Sequence, residues 1–248
     1  MKLVGERRAL AAVIFAFYFL QYLMAVLTGQ IPPEYANAFA AIAGVYGLAF
    51  FSLVAGYFWA RWYSVGVGLY GVIIGCVAVY KEGTEQVYMF ILLTHLAAAA
   101  MLWGSKMSVP YDGQTAWRLK FHMDDNAVQR LGRSVIRAGV SLPFVLLYAL
   151  APRPEASEMA FALTALALAG FGLRAVTQMK TWGILALGAA GSILVTQSGA
   201  QIVSSGMTTS LLAPALGGVL LLAAAAPFVP AMFSYLRTSA TRSSHPGV

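Results

Sequence analysis

The sequence consists mainly of long apolar segments separated by short polar stretches. Eight of these segments come close to the length of about 20 residues that an α-helix needs to cross a lipid bilayer. They cover residues 9–28, 38–59, 63–80, 87–103, 135–150, 159–173, 182–197 and 211–235. A membrane β-barrel would instead show strands of about 10 residues with strict polar and apolar alternation. The pattern therefore predicts an all-α, polytopic integral membrane protein with eight transmembrane helices.

Composition indicates that lipid, and not water, is the main solvent of the chain. Hydrophobic residues make up 60% of the sequence and charged residues only 10%, whereas charged residues make up about 25% of a typical soluble domain. The net charge of +7 would suggest a nucleic-acid partner in a soluble protein. In a membrane protein it follows from the basic residues of cytoplasmic loops, so we predict no nucleic-acid partner.

The positions of the basic residues predict the orientation of the eight segments. If the N-terminus is cytoplasmic, only Lys81 and Arg153 fall outside, and the other fourteen of the sixteen Lys and Arg residues fall inside. The positive-inside rule expects such a division, and one missed segment would scramble it downstream. We therefore predict a multi-pass protein of the cell inner membrane with both termini in the cytoplasm.

One long polar interruption divides the chain into two sets of four segments. The predicted parts are a first membrane half (1–104), a basic cytoplasmic loop (105–133), a second membrane half (134–237) and a cytoplasmic tail (238–248). Four crossings per half would make the halves parallel. A shift of 120 residues places Trp62, Gly68 and Gly71 on Trp182, Gly188 and Gly191. These matches, together with the topology, suggest an internal duplication.

Ionisable residues are almost absent from the interior of the predicted segments. Ion-coupled transporters usually keep one there for function, but here the only titratable group at membrane depth is His95. It is a candidate haem or metal ligand or proton relay; alternatively, it is a neutral imidazole bonded to a carbonyl or a hydroxyl such as that of Thr94. Haem would need a second ligand from a partner chain, because His122 and His245 lie outside the segments. The sequence itself requires no cofactor and predicts no metal site.

The central loop combines a strand-like pattern with a helix start. Apolar and basic residues alternate over 117–123, and the preceding Asp-Gly pair predicts a hairpin that the membrane or a partner would have to support. Asp124 or Asp125 is a suitable N-cap for a helix that runs into the fifth segment. The residues predicted to dock a partner or anionic lipid are Trp117, Arg118, Lys120, Phe121, His122, Arg130 and Arg133.

Three functions are compatible with this pattern. The leading hypothesis is a non-catalytic integral subunit or scaffold of a bacterial inner-membrane complex, with anionic lipids and other membrane subunits or further copies of the chain as partners. A small transporter or channel for a neutral or amphipathic solute is the first alternative. A membrane enzyme that uses His122, Asp124 and Asp125 at the cytoplasmic interface is the second. Motifs for phosphate binding, metalloproteases and serine hydrolases are absent, so we predict no catalytic residue.

Overall fold

The computed structural model describes residues 2–104, 107, 125–152, 156–206 and 208–230. These residues form eight α-helices: α1 Lys2–Leu27, α2 Ala36–Ala55, α3 Ala60–Glu82, α4 Gln86–Leu102, α5 Asp125–Leu150, α6 Ala156–Thr177, α7 Trp182–Ser205 and α8 Thr209–Ala225. Seven of them are long and apolar enough to cross a membrane, and α4, with 17 residues, is shorter. The prediction of an all-α polytopic membrane protein is confirmed.

Each set of four helices packs as a ring. In the first half α1 packs on α2, α2 on α3, α3 on α4, and α4 returns to α1; α5, α6, α7 and α8 repeat the same order of neighbours. Because consecutive helices run in opposite directions, the odd-numbered helices begin, and the even-numbered helices end, at one end of the bundle. Arg7, Arg8, Arg61 and Arg137 lie there, so we call it the basic end.

The two halves meet where α5 packs across α2 and α3. The backbones of α3 and α5 approach closely at two glycines: an added Cβ at Gly66 would lie 2.5 Å from the carbonyl oxygen of Ile136 and 2.9 Å from the Cα of Gly139. Further along the same interface, Tyr70 and Phe144 stack edge to face with ring centroids 4.9 Å apart. Small residues therefore allow the contact, and aromatic side chains extend it.

Several helix ends differ from the predicted ones for local reasons. The prediction that the second segment continues to 59 was wrong: α2 ends at Ala55, because Gly56 adopts a left-handed conformation with φ 75° that terminates the helix. Within the predicted eighth segment, α8 gives way after Ala225 to a 3-10 turn that contains Pro227. The last part of that segment, 231–235, lies outside the described residues.

The fifth helix begins well before its apolar part. The predicted continuity of the loop helix with the fifth segment is confirmed, since α5 runs unbroken from Asp125. Its first turns are amphipathic: Val128 and Leu131 are buried, whereas Arg130 and Arg133 are exposed. The predicted boundary between 133 and 134 consequently falls inside α5.

Candidate functional site

The most polar site within the membrane-spanning part of the described chain surrounds His95 in the first half. The side chain is 1% exposed. Its Nδ1 lies 2.8 Å from the carbonyl oxygen of Ile91, and its Nε2 lies 2.7 Å from the hydroxyl of Tyr46. A carbonyl oxygen only accepts hydrogen bonds, so in the neutral ring Nδ1 carries the hydrogen and Nε2 accepts one from Tyr46. Both ring nitrogens are therefore engaged within the chain.

A second hydrogen-bonded chain runs beside the first. The Thr94 hydroxyl lies 2.6 Å from the carbonyl oxygen of Phe90 and donates to it, and the Tyr18 hydroxyl, 2.6 Å from Thr94 Oγ1, donates to Thr94. The Tyr18 ring also lies over the imidazole, with centroids 4.2 Å apart. The structure thus pairs Thr94 with Tyr18, while His95 is bonded to Tyr46 of α2.

Gly71 of α3 makes room for the imidazole. A methyl group added at Gly71 would overlap the ring of His95. One turn later Gly75 lies against Leu92, where an added Cβ would be 2.8 Å from the Leu92 Cα. The glycines of α3 therefore let α4 pack closely enough for His95 to reach Tyr46 of α2.

This arrangement limits what His95 can do chemically. A metal or haem iron bound at Nε2 would have to displace the Tyr46 hydroxyl, and one bound at Nδ1 would have to break the bond to the α4 backbone. With its bonds intact, the site is a satisfied polar network that links α1, α2 and α4. No motif in the sequence marked Tyr18 or Tyr46 as partners of His95.

The basic end of the bundle contains a second recurring feature, in which arginines bind the last carbonyl groups of neighbouring helices. Arg8 Nε donates to Leu53 O of α2 at 2.8 Å, and Arg137 donates to Ala223 O of α8 at 2.6 Å. The end of α4 receives two such arginines, Arg7 at Ala100 O and Trp103 O, and Arg61 at Leu102 O and Gly104 O. Some of these carbonyls also accept a backbone N–H, as Leu53 O does from Gly56 and Ala100 O does from Trp103. The guanidinium groups supply further donors and oppose the negative end of each helix dipole.

Removal of the cap on α8 should destabilise the second half. We expect Arg137→Ala to lower the free energy of unfolding by about 2 kcal/mol, because a charged hydrogen bond is lost and Ala223 O is left without that donor. Arg133→Ala is the matched control, since Arg133 is exposed on the same helix, and it should change the stability by less than about 0.5 kcal/mol. Chemical unfolding in mild detergent measures both. Equal effects of the two substitutions would contradict the capping role.

The predicted docking residues are only partly visible. Trp117, Arg118, Lys120, Phe121 and His122 lie outside the described residues, as do Asp124 and the predicted hairpin. Arg130 and Arg133 are exposed on the first turns of α5.

The start of the loop is tied to the basic end. Arg61 donates to Gly104 O at 2.7 Å, and Met107 is fully buried in the hydrophobic core. The chain therefore leaves the first half at a fixed point.

A groove lies on the outer face of the second half, between α6 and α7. Its volume is about 410 Å³, and it is lined by Phe161, Ser192, Ile193, Thr196, Gln197 and Ala200. The side-chain oxygen of Gln197 is inaccessible and has no hydrogen-bond partner among the described residues. A buried amide oxygen without a partner is unfavourable, so this oxygen requires a donor from outside the described residues.

Comparisons of the chain with protein families, with curated proteins and with solved structures find no match. Functional inference therefore rests on the geometry of the chain itself.

Proposed function

We propose that the protein is a non-catalytic integral membrane subunit or scaffold, and that its central loop docks a cytoplasmic partner. The observation that carries this proposal is the state of His95, whose two ring nitrogens both bind groups of the same chain. A ring nitrogen that ligates a metal or a cofactor would first have to give up its hydrogen bond. A fully bonded histidine instead stabilises the packing of the helices around it.

The basic end supports a docking role for the loop. Its arginines hold the ends of α2, α4 and α8 through carbonyl caps, and Arg61 fixes the point where the chain leaves α4. The loop re-enters the bundle through the amphipathic start of α5, which exposes Arg130 and Arg133. A loop held at both ends loses less conformational entropy when it binds a partner than a free segment does.

Replacement of three loop residues tests this proposal. We expect Trp117→Ala combined with Arg118→Ala and Lys120→Ala to abolish stoichiometric association with a copurifying subunit. The measurement is native mass spectrometry of protein extracted from its own membrane in mild detergent, which reports the mass of every bound chain. The free energy of unfolding should stay within about 0.5 kcal/mol of the parent value, because the substitutions act on binding and not on the core.

A matched control comes from the opposite end of the bundle. Tyr80→Ala, Lys81→Ala and Glu82→Ala together replace three exposed residues at the end of α3, and this variant should keep the associated subunit. If the loop variant also kept it, or if the parent protein carried only lipid, the docking role would be wrong.

Transport of a neutral or amphipathic solute is a second candidate, favoured by two prolines inside helices. Pro143 lies within α5 and Pro214 within α8, and these helices pack on one another. Proline removes a backbone hydrogen bond, which permits local bending. Solute flux into liposomes that contain the purified protein, measured with and without a gradient, tests this candidate; equal flux in protein-free liposomes would exclude it for the solutes used.

A further inference from the structure

The two halves correspond to one another in structural detail. Arg7 of α1 binds the third-last carbonyl of α4, Ala100 O, and Arg137 of α5 binds the third-last carbonyl of α8, Ala223 O. The glycines aligned by the shift of 120 residues also face equivalent helices. Gly71 lies against His95 of α4, and Gly191 lies against Leu222 of α8. Each helix of the first half therefore has a counterpart in the second.

Within the chain, the face of the first half formed by α2 and α3 is covered by α5. On α3, Trp62 lies against Gly132, Gly66 lies against Gly139, and Ile73 packs on the cluster of Tyr70, Val140 and Phe144. Among the described residues, the contacts of α5 with α2 and α3 form the most extensive interface between the halves.

The corresponding face of the second half, formed by α6 and α7, is open. Trp182 is the counterpart of Trp62 and is 47% exposed. Ile193 is the counterpart of Ile73 and lines the groove between α6 and α7. At these two positions the second half presents a surface that α5 covers in the first half, without a covering helix from the described part of the chain; the counterparts of Gly66 and Tyr70, Ala186 and Ala190, are already buried.

The helix that corresponds to α5 is α1, and its matching face is also open. On α5, Val140 and Leu147 lie three and ten residues after the capping Arg137, at the interface between the halves. The residues at the same offsets from Arg7 are Leu10 and Phe17, which are 53% and 47% exposed. One copy of the chain therefore has two open surfaces that correspond to the two sides of this interface. One is the exposed face of α1, and the other is the groove between α6 and α7.

Two glutamines extend the match. Gln197 follows Ile193 by one helical turn, and Gln21 follows Phe17 by one turn on the exposed face of α1. The side-chain oxygen of Gln197 has no partner among the described residues. Because α1 and α7 run in the same direction, as α3 and α5 do, these two amides would come to the same depth. Amide groups that pair across helices stabilise their association in the membrane.

We propose that α1 of one copy docks into the groove between α6 and α7 of a second copy, where the Gln197 side chain turns outward to form a hydrogen bond with Gln21. The occupant is a second copy because α1 carries a capping arginine and exposed apolar residues at the spacing that α5 uses against the first half. The contact is head to tail, so it forms a closed ring or an open chain of copies. It uses neither the central loop nor any partner docked there.

Cross-linking between differently tagged copies tests the proposal. Cys76 is first replaced by serine, because it is exposed and would react. One tagged copy then carries Phe17→Cys, and a co-expressed copy with another tag carries Ile193→Cys. Oxidation in the native membrane should give a disulfide-linked dimer that contains both tags. Each single variant should elute like the parent in mild detergent, which confirms that it is folded.

A matched control distinguishes the groove from other lipid-facing surfaces. Val219→Cys lies on the exposed face of α8 and, paired with Phe17→Cys, should give no dimer. A dimer of equal yield in this control, or the absence of a dimer in the test pair, would overturn the proposal. So would a stronger link between two copies of Phe17→Cys, since that result would place α1 against α1.

The glutamine pair provides a second, quantitative test. Gln21→Leu and Gln197→Leu should each weaken the association between copies by about 3- to 30-fold in detergent titrations followed by fluorescence energy transfer. The two effects should not add, because either substitution removes the same hydrogen bond. Additive effects, or none, would exclude the pairing. The triple loop variant should leave the association unchanged, so failure of the docking role and failure of self-association are distinguishable.

Discussion

Gly71→Ala should destabilise the protein by about 3 kcal/mol, although alanine favours helix formation more than glycine does. The added methyl group overlaps the imidazole of His95, which is buried and held by hydrogen bonds to Tyr46 and to Ile91 O. The ring cannot move aside without breaking one of these bonds. Chemical unfolding in mild detergent measures the loss. Gly199→Ala is the control, because nothing lies within 4 Å of a Cβ at that position.

A double substitution isolates the cause of this effect. His95→Ala alone should cost about 3 kcal/mol, since it leaves a cavity and removes the acceptor of the Tyr46 hydroxyl. In that background the added methyl group of Gly71→Ala enters the vacated space, so its own cost should fall to near zero. If the two costs simply added, the imidazole would not be the group that excludes the side chain.

Gly66→Ala should separate the two halves of the molecule. Here the added Cβ meets backbone and not a side chain, at 2.5 Å from Ile136 O and 2.9 Å from the Cα of Gly139. No rotamer change relieves this overlap, so α3 and α5 must move apart and lose packing along their length. We expect a loss of about 3 kcal/mol or more in the free energy of unfolding.

Splitting the chain makes this effect directly visible. A protease site inserted after residue 113 would allow the peptide connection between the two halves to be cut after purification. The halves of the parent protein should copurify in mild detergent, and those carrying Gly66→Ala should not. Gly44→Ala, on α2 with nothing within 4 Å of its Cβ, should behave like the parent. Copurification of the Gly66→Ala halves would show that the interface tolerates the separation.

The number and type of helices could be predicted from the sequence because the bilayer imposes a length and a composition on each one. The surroundings of His95 could not. Apolar residues occur on every side of α1 to α4, so hydropathy does not show which side faces the bundle. The sequence identified His95 as the titratable residue within the fourth apolar segment, but Tyr46 and Tyr18 become its neighbours only through the rotation of α1 and α2 around it.

Arg8 and Arg137 illustrate a second limit. Their positions along the chain contribute to the predicted orientation of the helices, which stays a prediction. Their bonds to the ends of α2 and α8 depend on which helices are neighbours in space, and no local pattern records this. The predicted helix boundary was wrong where a single residue ends the helix, as Gly56 does at the end of α2.

The arginine caps also bear on the order in which the protein assembles during synthesis. Among the described residues, the arginine caps on α2 and α4 come from α1 and α3, and the arginine cap on α8 comes from α5. The ends of α2 and α4 are thus completed by segments made before them, while the ribosome is still translating the central loop. The first half can close before α5 emerges, and α8, the last of the described helices to be made, finds its donor already in the membrane.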